Sequence, residues 1–244
     1  FVCYIRYYDV YNDINSELNV NFNNIKYNGK FITNSNDCSY GAGLVGYLYA
    51  PHNNMTNTVE GNKLKVNINN YDFTAEEIKS TGNGTHRICS TINQVLFQGS
   101  RGYINKDIAG LSTTIYHRPV INMNNINIHD VVYTNGANDY DQMGGVLAYN
   151  LGSAEVNIDN IKVSNVDYNL RTGFGFFFIN YLNGSVVDMD KVTFENVNIY
   201  KEKNPTNENY NMGAFINEAI GGVVTVKDYV VNNSNIYLFG GKDR

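Results

Sequence analysis

Apolar and polar residues alternate in this chain in one arrangement that keeps returning. From Val156 to Tyr168 the sequence runs Val-Asn-Ile-Asp-Asn-Ile-Lys-Val-Ser-Asn-Val-Asp-Tyr, and the arrangement starts again at Val20, Val66, Ile121, Val187 and Val224. The first column of these copies is Val or Ile throughout, and the third holds Phe22, Ile68, Met123, Ile158, Met189 and Val226. Between them stand Asn21, Asn67, Asn122, Asn157, Asp188 and Thr225. A period of two is the mark of a strand with one buried face, not of a helix. The copies are unevenly spaced, which suits stacked coils joined by loops of different length better than a tandem array of short units.

At the fifth column the alternation pauses, with Asn24, Asn70, Asn125, Asn160, Lys191 and Asp228. It resumes in the sixth column (Ile25, Tyr71, Ile126, Ile161, Val192, Tyr229) and the eighth (Tyr27, Phe73, Ile128, Val163, Phe194, Val231). One inserted residue exchanges the inward parity, so the fifth column is predicted to be a corner. Asn tolerates the left-handed backbone of a one-residue corner better than most residues, and its amide can bond backbone or neighbour inside the bend. Asn24, Asn70, Asn125 and Asn160 are therefore expected to stack as a structural ladder, one strand spacing of about 4.8 Å apart. A second corner is predicted at Asp130, Asn165, Asn196 and Asn233 in the tenth column, from which Gly29 and Ala75 depart. Alternation restarts at Val131, Val166 and Val197, with Tyr133, Tyr168 and Ile199 two residues on. Short strands joined by tight corners predict an all-β fold, a parallel β-helix solenoid with Asn-rich corners and protruding loops. A β-sandwich of hairpins is the alternative, but hairpins do not require corner residues to recur at one register.

The copies extend from about residue 20 to 236, which predicts one β-helix domain over residues 1–244. Residues 1–19 read as an incomplete first coil. The chain stops after Gly240-Gly241, so it is expected to be a fragment of a longer repeat protein. Ahead of the copies lie glycine segments: Gly43-Leu-Val-Gly-Tyr47, Gly110-Leu-Ser, Gly145-Val-Leu-Ala-Tyr-Asn, Gly175-Phe-Phe-Phe-Ile-Asn and Gly213-Ala-Phe-Ile-Asn. They are predicted to form a further strand of each coil, with a Gly column where the backbone turns sharply or packs closely.

Gly43-Leu-Val-Gly-Tyr and Gly144-Gly-Val-Leu-Ala-Tyr-Asn-Leu-Gly152 resemble the GLUG-type repeats of microbial surface proteins, with Ala148 in place of the second glycine in the later copy. More generally the chain is similar to right-handed, pectate-lyase-like β-helices. The resemblance implies a secreted or surface-anchored protein, often an adhesin, and names no ligand.

Loops 79–109, 134–144, 169–174 and 200–212 are predicted to leave the coils at one register and so to line one edge, where function commonly resides. Asp139, Tyr140, Asp141, Arg171, Lys201, Glu202 and Tyr210 fall there, and Tyr with Arg and acids is the composition of a protein-binding patch. The chain holds 20 Tyr, 12 Phe and no Trp. The lack of Trp weighs against polysaccharide stacking without removing it as a partner class.

Few residues are candidates for chemistry. Asp159 above Asp190, with Asp188 and Lys162 nearby, is the set a carbohydrate-active β-helix enzyme, a polysaccharide lyase or glycoside hydrolase, would use. A charge pair on a solvated face explains the same residues. Asn135, Asn138, Asp139 and Asp141 offer oxygen ligands for calcium but lack the EF-hand spacing, and no other cofactor or metal is expected. His52, His86, His117 and His129 are scattered without metal-ligand spacing, and no nucleophile elbow or phosphate-binding glycine loop is present.

The net charge of −5 gives no basic footprint for nucleic acid, and no apolar run reaches the length of a membrane span. Cys3, Cys38 and Cys89 allow one pair and an odd thiol, or pairing elsewhere. Sequons at Asn54, Asn83, Asn183 and Asn232 fit N-glycosylation in a eukaryotic secretory pathway. The expectation is a non-catalytic, extracellular or cell-surface glycoprotein module that binds protein. It would act as an adhesin or as a scaffold displaying small partner domains in a multi-protein assembly, as cohesin-like modules do.

Overall fold

A computed structural model of the chain describes residues 2–6, 17–34, 36, 39–50, 64–81, 86–97, 119–134, 142–144, 147–152, 154–170, 174–176, 179–201 and 215–238. Calcium-loop candidates Asn135, Asn138, Asp139 and Asp141 lie outside them. In chain order the strands are β1 (Val2–Arg6), β2 (Leu18–Thr33), β3 (Ser39–Ala42), β4 (Val45–Ala50), β5 (Leu64–Ser80), β6 (His86–Cys89), β7 (Ile92–Phe97) and β8 (Val120–Thr134). They continue with β9 (Gln142–Gly144), β10 (Leu147–Gly152), β11 (Glu155–Leu170), β12 (Phe174–Phe176), β13 (Ile179–Lys201), β14 (Ile216–Val226), β15 (Tyr229–Asn232) and β16 (Asn235–Leu238). Among the described residues there is no helix.

Every pairing between these strands is parallel. One face stacks β1, β4, β7, β10 and the start of β13, and then β14. The long faces stack β2, β5, β8, β11 and the rest of β13, followed by the end of β14, β15 and β16. A small 4-stranded sheet holds β3, β6, β9 and β12. Each circuit of the chain thus lies one strand spacing beyond the last, in sequence order, as an all-β parallel β-helix solenoid requires.

The long strands bend without breaking because single residues absorb the turn. Asn24, Asn70, Asn125 and Asn160 have φ of 55°, 55°, 61° and 59°, and Lys191 takes the same conformation at 54°. Pairing steps over them: Asp159 meets Asp190, then Ile161 meets Val192. Asp130, Asn165, Asn196 and Asn233 make the second left-handed corner. Asp228 is not among the positive-φ residues, so the fifth-column corner stops at Lys191.

Because each corner flips parity, both sides of the bend point apolar residues inward. Val66, Ile121, Val156 and Val187 are fully buried, as are Val131, Val166 and Val197. Tyr71, Phe73, Ile126, Ile128, Ile161, Val163, Val192 and Phe194 fill the columns between them. Burying one such side chain contributes about 1.5–3 kcal/mol, so the stacked columns are the main source of stability.

The first two circuits differ. Gly29 and Ala75 make no left-handed corner, and the register shifts instead: Gly29 pairs with Ala75 but Lys30 with Glu77. One residue later, Ala75 meets Val131 rather than Asp130, so it takes the inward place after the corner and is fully buried. A bulge in the strand does there what Asn does higher in the stack.

The segment 79–109 also departs from expectation. It holds β6 and β7, which continue the small sheet and the first face, so residues 86–97 belong to the coil rather than to a loop. Ser90, not Gly110, stands between them in the register of Gly43. Gly110, Gly145 and Gly213 lie outside the described residues, and Gly175 pairs with Met143. Close packing explains Gly43: a Cβ there would collide with the Ser90 carbonyl oxygen, the Tyr71 hydroxyl and the Phe73 ring. The Tyr71 hydroxyl donates to the Ser90 carbonyl at 3.0 Å, and Ser90 Oγ lies 2.8 Å from the Tyr133 hydroxyl. Burial pushes both phenols well above their ordinary range.

Candidate functional site

Registered strand ends define an edge. Thr33 pairs with Ser80, Lys79 with Thr134, Thr134 with Asn169, Leu170 with Lys201, and Lys201 with Leu238. Beyond this line the sequence continues into residues 82–85, 135–141, 171–173 and 202–214. Of the expected binding residues, Asp139, Tyr140, Asp141, Arg171, Glu202 and Tyr210 lie outside the described residues. Lys201 closes β13 on the edge itself. A different corner, between the first face and the long faces, receives residues 7–16, 51–63 and 98–118 in the first three circuits. In the last three it is tight, turning through Ala154, through Gly184 (φ 69°), and through Gly221 and Gly222 (φ 73° and 127°).

Next to Lys201, the described part of the loop edge carries two aromatic rings. Tyr200 and Tyr237 stack with centroids 5.0 Å apart and planes within 1°. Two residues earlier, Asn235 donates to Asn198 and Asn198 to Asp167, at 3.0 and 3.1 Å. Burial first, then the Asp167 carboxylate and Tyr237, raises the Tyr200 phenol above its ordinary value. Amides, a carboxylate and an aromatic pair on one outward face can bind a partner through both polar and apolar contacts.

Amide ladders occupy much of the remaining outer surface. Asn160 donates to Asn125 at 2.6 Å, Asn125 to Asn70 at 2.8 Å, and Asn70 to Asn24 at 2.9 Å. In the second column Asn157 donates to Asn122, Asn122 to Asn67 and Asn67 to Asn21. Asn196 donates to Asn165 and Asn165 to Asp130. In all of these the later circuit donates to the earlier one. An ionised Asp can only accept, so Asp130 and Asp167 fix the sense of the ladders that rise from them.

The candidate acids sit among these columns. Asp159 and Asp190 are paired neighbours on β11 and β13, and Asp188 is exposed beside them. Lys191 Nζ donates to Asp159 Oδ1 at 3.3 Å. That hydrogen bond, and the charges of Asp159, Asp190 and Asp228, raise the Lys191 amine above its ordinary value. Lys162 lies past the Asn160 corner and pairs with Glu195 at 3.3 Å. The acids and Lys162 therefore belong to two faces of the solenoid rather than one cluster.

One constellation escaped the sequence reading. His129 bridges two carboxylates, with Nδ1 2.8 Å from Asp130 Oδ2 and Nε2 3.0 Å from Asp72 Oδ1. Asn127 donates to Asp72 at 2.9 Å, and Lys26 Nζ lies 3.4 Å from its other oxygen. Burial opposes ionisation of Asp72, but these hydrogen bonds from Asn127, His129 and Lys26, with the attraction of His129, hold its carboxyl below the ordinary value. The His129 hydrogen bond, and then that from Asn165, do the same for Asp130. The only sequence signal was columnar: Asp72 and His129 lie 57 residues apart, two columns apart on adjacent circuits.

The sequons divide similarly. Asn232 is exposed at the end of β15, and its Ser234 hydroxyl donates to the Asn232 carbonyl and accepts from the Val197 amide. Asn183 lies within β13, where Ser185 is fully buried and bonds Leu151 and Ala154. Asn54 and Asn83 lie outside the described residues. Cys89 is buried, Cys3 lies in β1, and Cys38 is outside the described residues. Among the described residues no group of three or more His, Cys, Asp or Glu could hold a metal ion, and no helix is long and apolar enough to cross a membrane. No protein-family model, curated protein or solved structure matches this chain.

Proposed function

We propose that the chain is a non-catalytic, extracellular or cell-surface binding module, an adhesin or scaffold built like a pectate-lyase-type β-helix and displaying protein partners in the cohesin manner. One observation carries the reading: the long strands end in register, so segments of unrelated length and composition issue from a single edge next to the Tyr200–Tyr237 pair. A rigid stack with a variable edge is how a scaffold gains specificity without altering its core. Asp139, Tyr140, Asp141, Arg171, Lys201, Glu202 and Tyr210 supply the contact chemistry. The partner is a small protein domain, the cofactor requirement is nil, and Asn232, exposed at the end of β15, is available to carry a glycan.

Immobilised wild-type chain is expected to capture one recurrent protein from the secretome of its source. A chain with residues 135–141 replaced by a short Gly-Ser link should release that same protein while keeping its circular-dichroism spectrum. Equal retention by both chains defeats the reading.

A carbohydrate-active enzyme is the second reading, favoured by the adjacency of Asp159 and Asp190. Against it, Lys191 engages Asp159, and Lys162 engages Glu195 on the next face. Sugar release from a polysaccharide panel that disappears in Asp190→Asn would establish it.

A further inference from the structure

Where the second corner begins, the backbone ladder between the second and third circuits opens. Phe73 pairs with Ile128 and Ala75 with Val131, so Thr74 on β5 stands opposite both His129 and Asp130 on β8. Asp130, with φ of 53°, is the added residue. Two residues facing one leave the pairing locally broken. The Thr74 hydroxyl donates away from the gap, to the Tyr27 carbonyl on β2 at 3.3 Å. Between β8 and β11 the corners step together, and His129 pairs with Ser164 and Val131 with Val166.

The His129 ring spans this gap, with one nitrogen against Asp130 and the other against Asp72. An ionised carboxylate can only accept, and a neutral imidazole carries one N–H and one lone pair. Only the imidazolium, with two N–H groups, can donate to both acids. The other charged groups near the seam are engaged elsewhere. From β2, Lys26 reaches the second Asp72 oxygen. Beyond the bulge on β5, Glu76 pairs with Lys30 and Glu77 with Lys79. On β11, Ser164 is uncharged and Lys162 turns to Glu195. Although burial opposes ionisation of Asp72, hydrogen bonds hold both carboxyls below the ordinary carboxylate range. Both therefore remain acceptors through the range in which an imidazole ordinarily titrates.

We infer that His129 is a proton-operated staple: as imidazolium it pins the second circuit to the third across the bulge, and on losing its proton it keeps one carboxylate and releases the other. The staple is closed below the titration of the ring and opens as pH rises through it. Past the bulge β5 and β8 run to the loop edge, where Lys79 pairs with Thr134, so an open staple loosens the seating of those two strand ends. The device is independent of what the loops bind.

Amide hydrogen exchange read by NMR tests it, with each rate divided by that of an unstructured peptide at the same pH. In the wild-type chain, protection of residues 74–76 and 129–131 should fall several-fold as the His129 ring protons titrate. Ile68 and Met123, ahead of the first corner in the same strands, should keep theirs. Asp72→Asn should abolish the pH dependence while retaining protection, because an amide can accept from Nε2 or donate to it according to its rotation. His129→Gln, which carries no proton to lose, should give one level of protection across the same range and identifies the His129 ring signals by their absence. Circular dichroism establishes that the variants fold, and either folded variant suffices. Wild-type protection that ignores the titration of His129, or a fall that persists in a folded variant, overturns the inference.

Discussion

The first two circuits and those above them turn the same strand by different means. In β8, β11 and β13 a residue with φ near 55° makes each second corner, and flanking residues stay in register. In β2 and β5 that corner is missing, the pairing slips and recovers, and the core beside it is aromatic, with Tyr27 stacked on Phe73 at 4.9 Å and Tyr71 tilted against Phe73. At the second corner, side-chain amides secure the upper circuits from outside. The lower ones share the first-corner ladder with them but, in place of the second corner, rely on packing around Gly43, Ser90 and the two buried phenols. A corner held by backbone conformation can be repeated; one held by packing is specific to its place.

If packing carries the lower circuits, the largest effect belongs to Gly43→Ala. The added methyl must displace a backbone carbonyl as well as the Tyr71 hydroxyl, and overpacking of this kind costs about 1–3 kcal/mol, here expected at the upper end. Equilibrium unfolding in urea reads it as a lowered midpoint. A change within error would mean that the Ser90 bend gives way.

Asn125→Ala probes the amide corner, which at the fifth column the upper and lower circuits share. It places an ordinary residue at φ 61°, at about 1–2 kcal/mol, and breaks two ladder bonds of about 1 kcal/mol each. Asn125→Gly loses the bonds but keeps the conformation, so it should be the milder variant. Equal losses in the two would assign the whole effect to the ladder.

Lys191→Asn should work in the other direction. Asn relaxes a left-handed lysine and can donate to Asn160, while only a solvent-exposed ion pair with Asp159 is lost. A gain of about 1 kcal/mol in the same urea titration is expected. Destabilisation would show that the ion pair outweighs the corner.

The smallest effect is the pH dependence of the His129 bridge. The Asp72 and Asp130 carboxyls are held below their ordinary value, so their contribution is whole above that value and fades as pH falls past it toward the lowered one. Asp72→Asn should flatten the acid limb of the stability profile and leave the neutral region nearly unchanged. An unaltered acid limb would exclude the bridge as its source.

The corners were legible because the backbone conformation itself restricts the residue: few side chains tolerate φ near 55°, and Asn recurs where it is needed. Inward columns were legible for the same reason, since parity is local. The Ser90 bend was not, because close packing against Gly43 places no matching demand on the residue opposite, and Gly110 imitated the motif further along. The bulge at Ala75 was equally hidden, as a one-residue slip leaves the apolar pattern nearly intact. His129 was hidden by distance, its partners lying in separate circuits. The loop edge was inferred from where the copies end, and registered termini now define it, but the residues expected to bind there fall mostly beyond the described strands.

The shared direction of the ladders bears on how such a protein can lengthen. A circuit copied and reinserted above Asn125 would find an acceptor beneath it and a donor above, so duplication there conserves every rung. The circuit bearing Asp130 has no such freedom: higher in the stack, its carboxylate would face the amide oxygen of Asn165 or Asn196 with no proton to share. Asp130 thus marks a foundation course, below which new circuits need different chemistry and above which the same brick can be laid again.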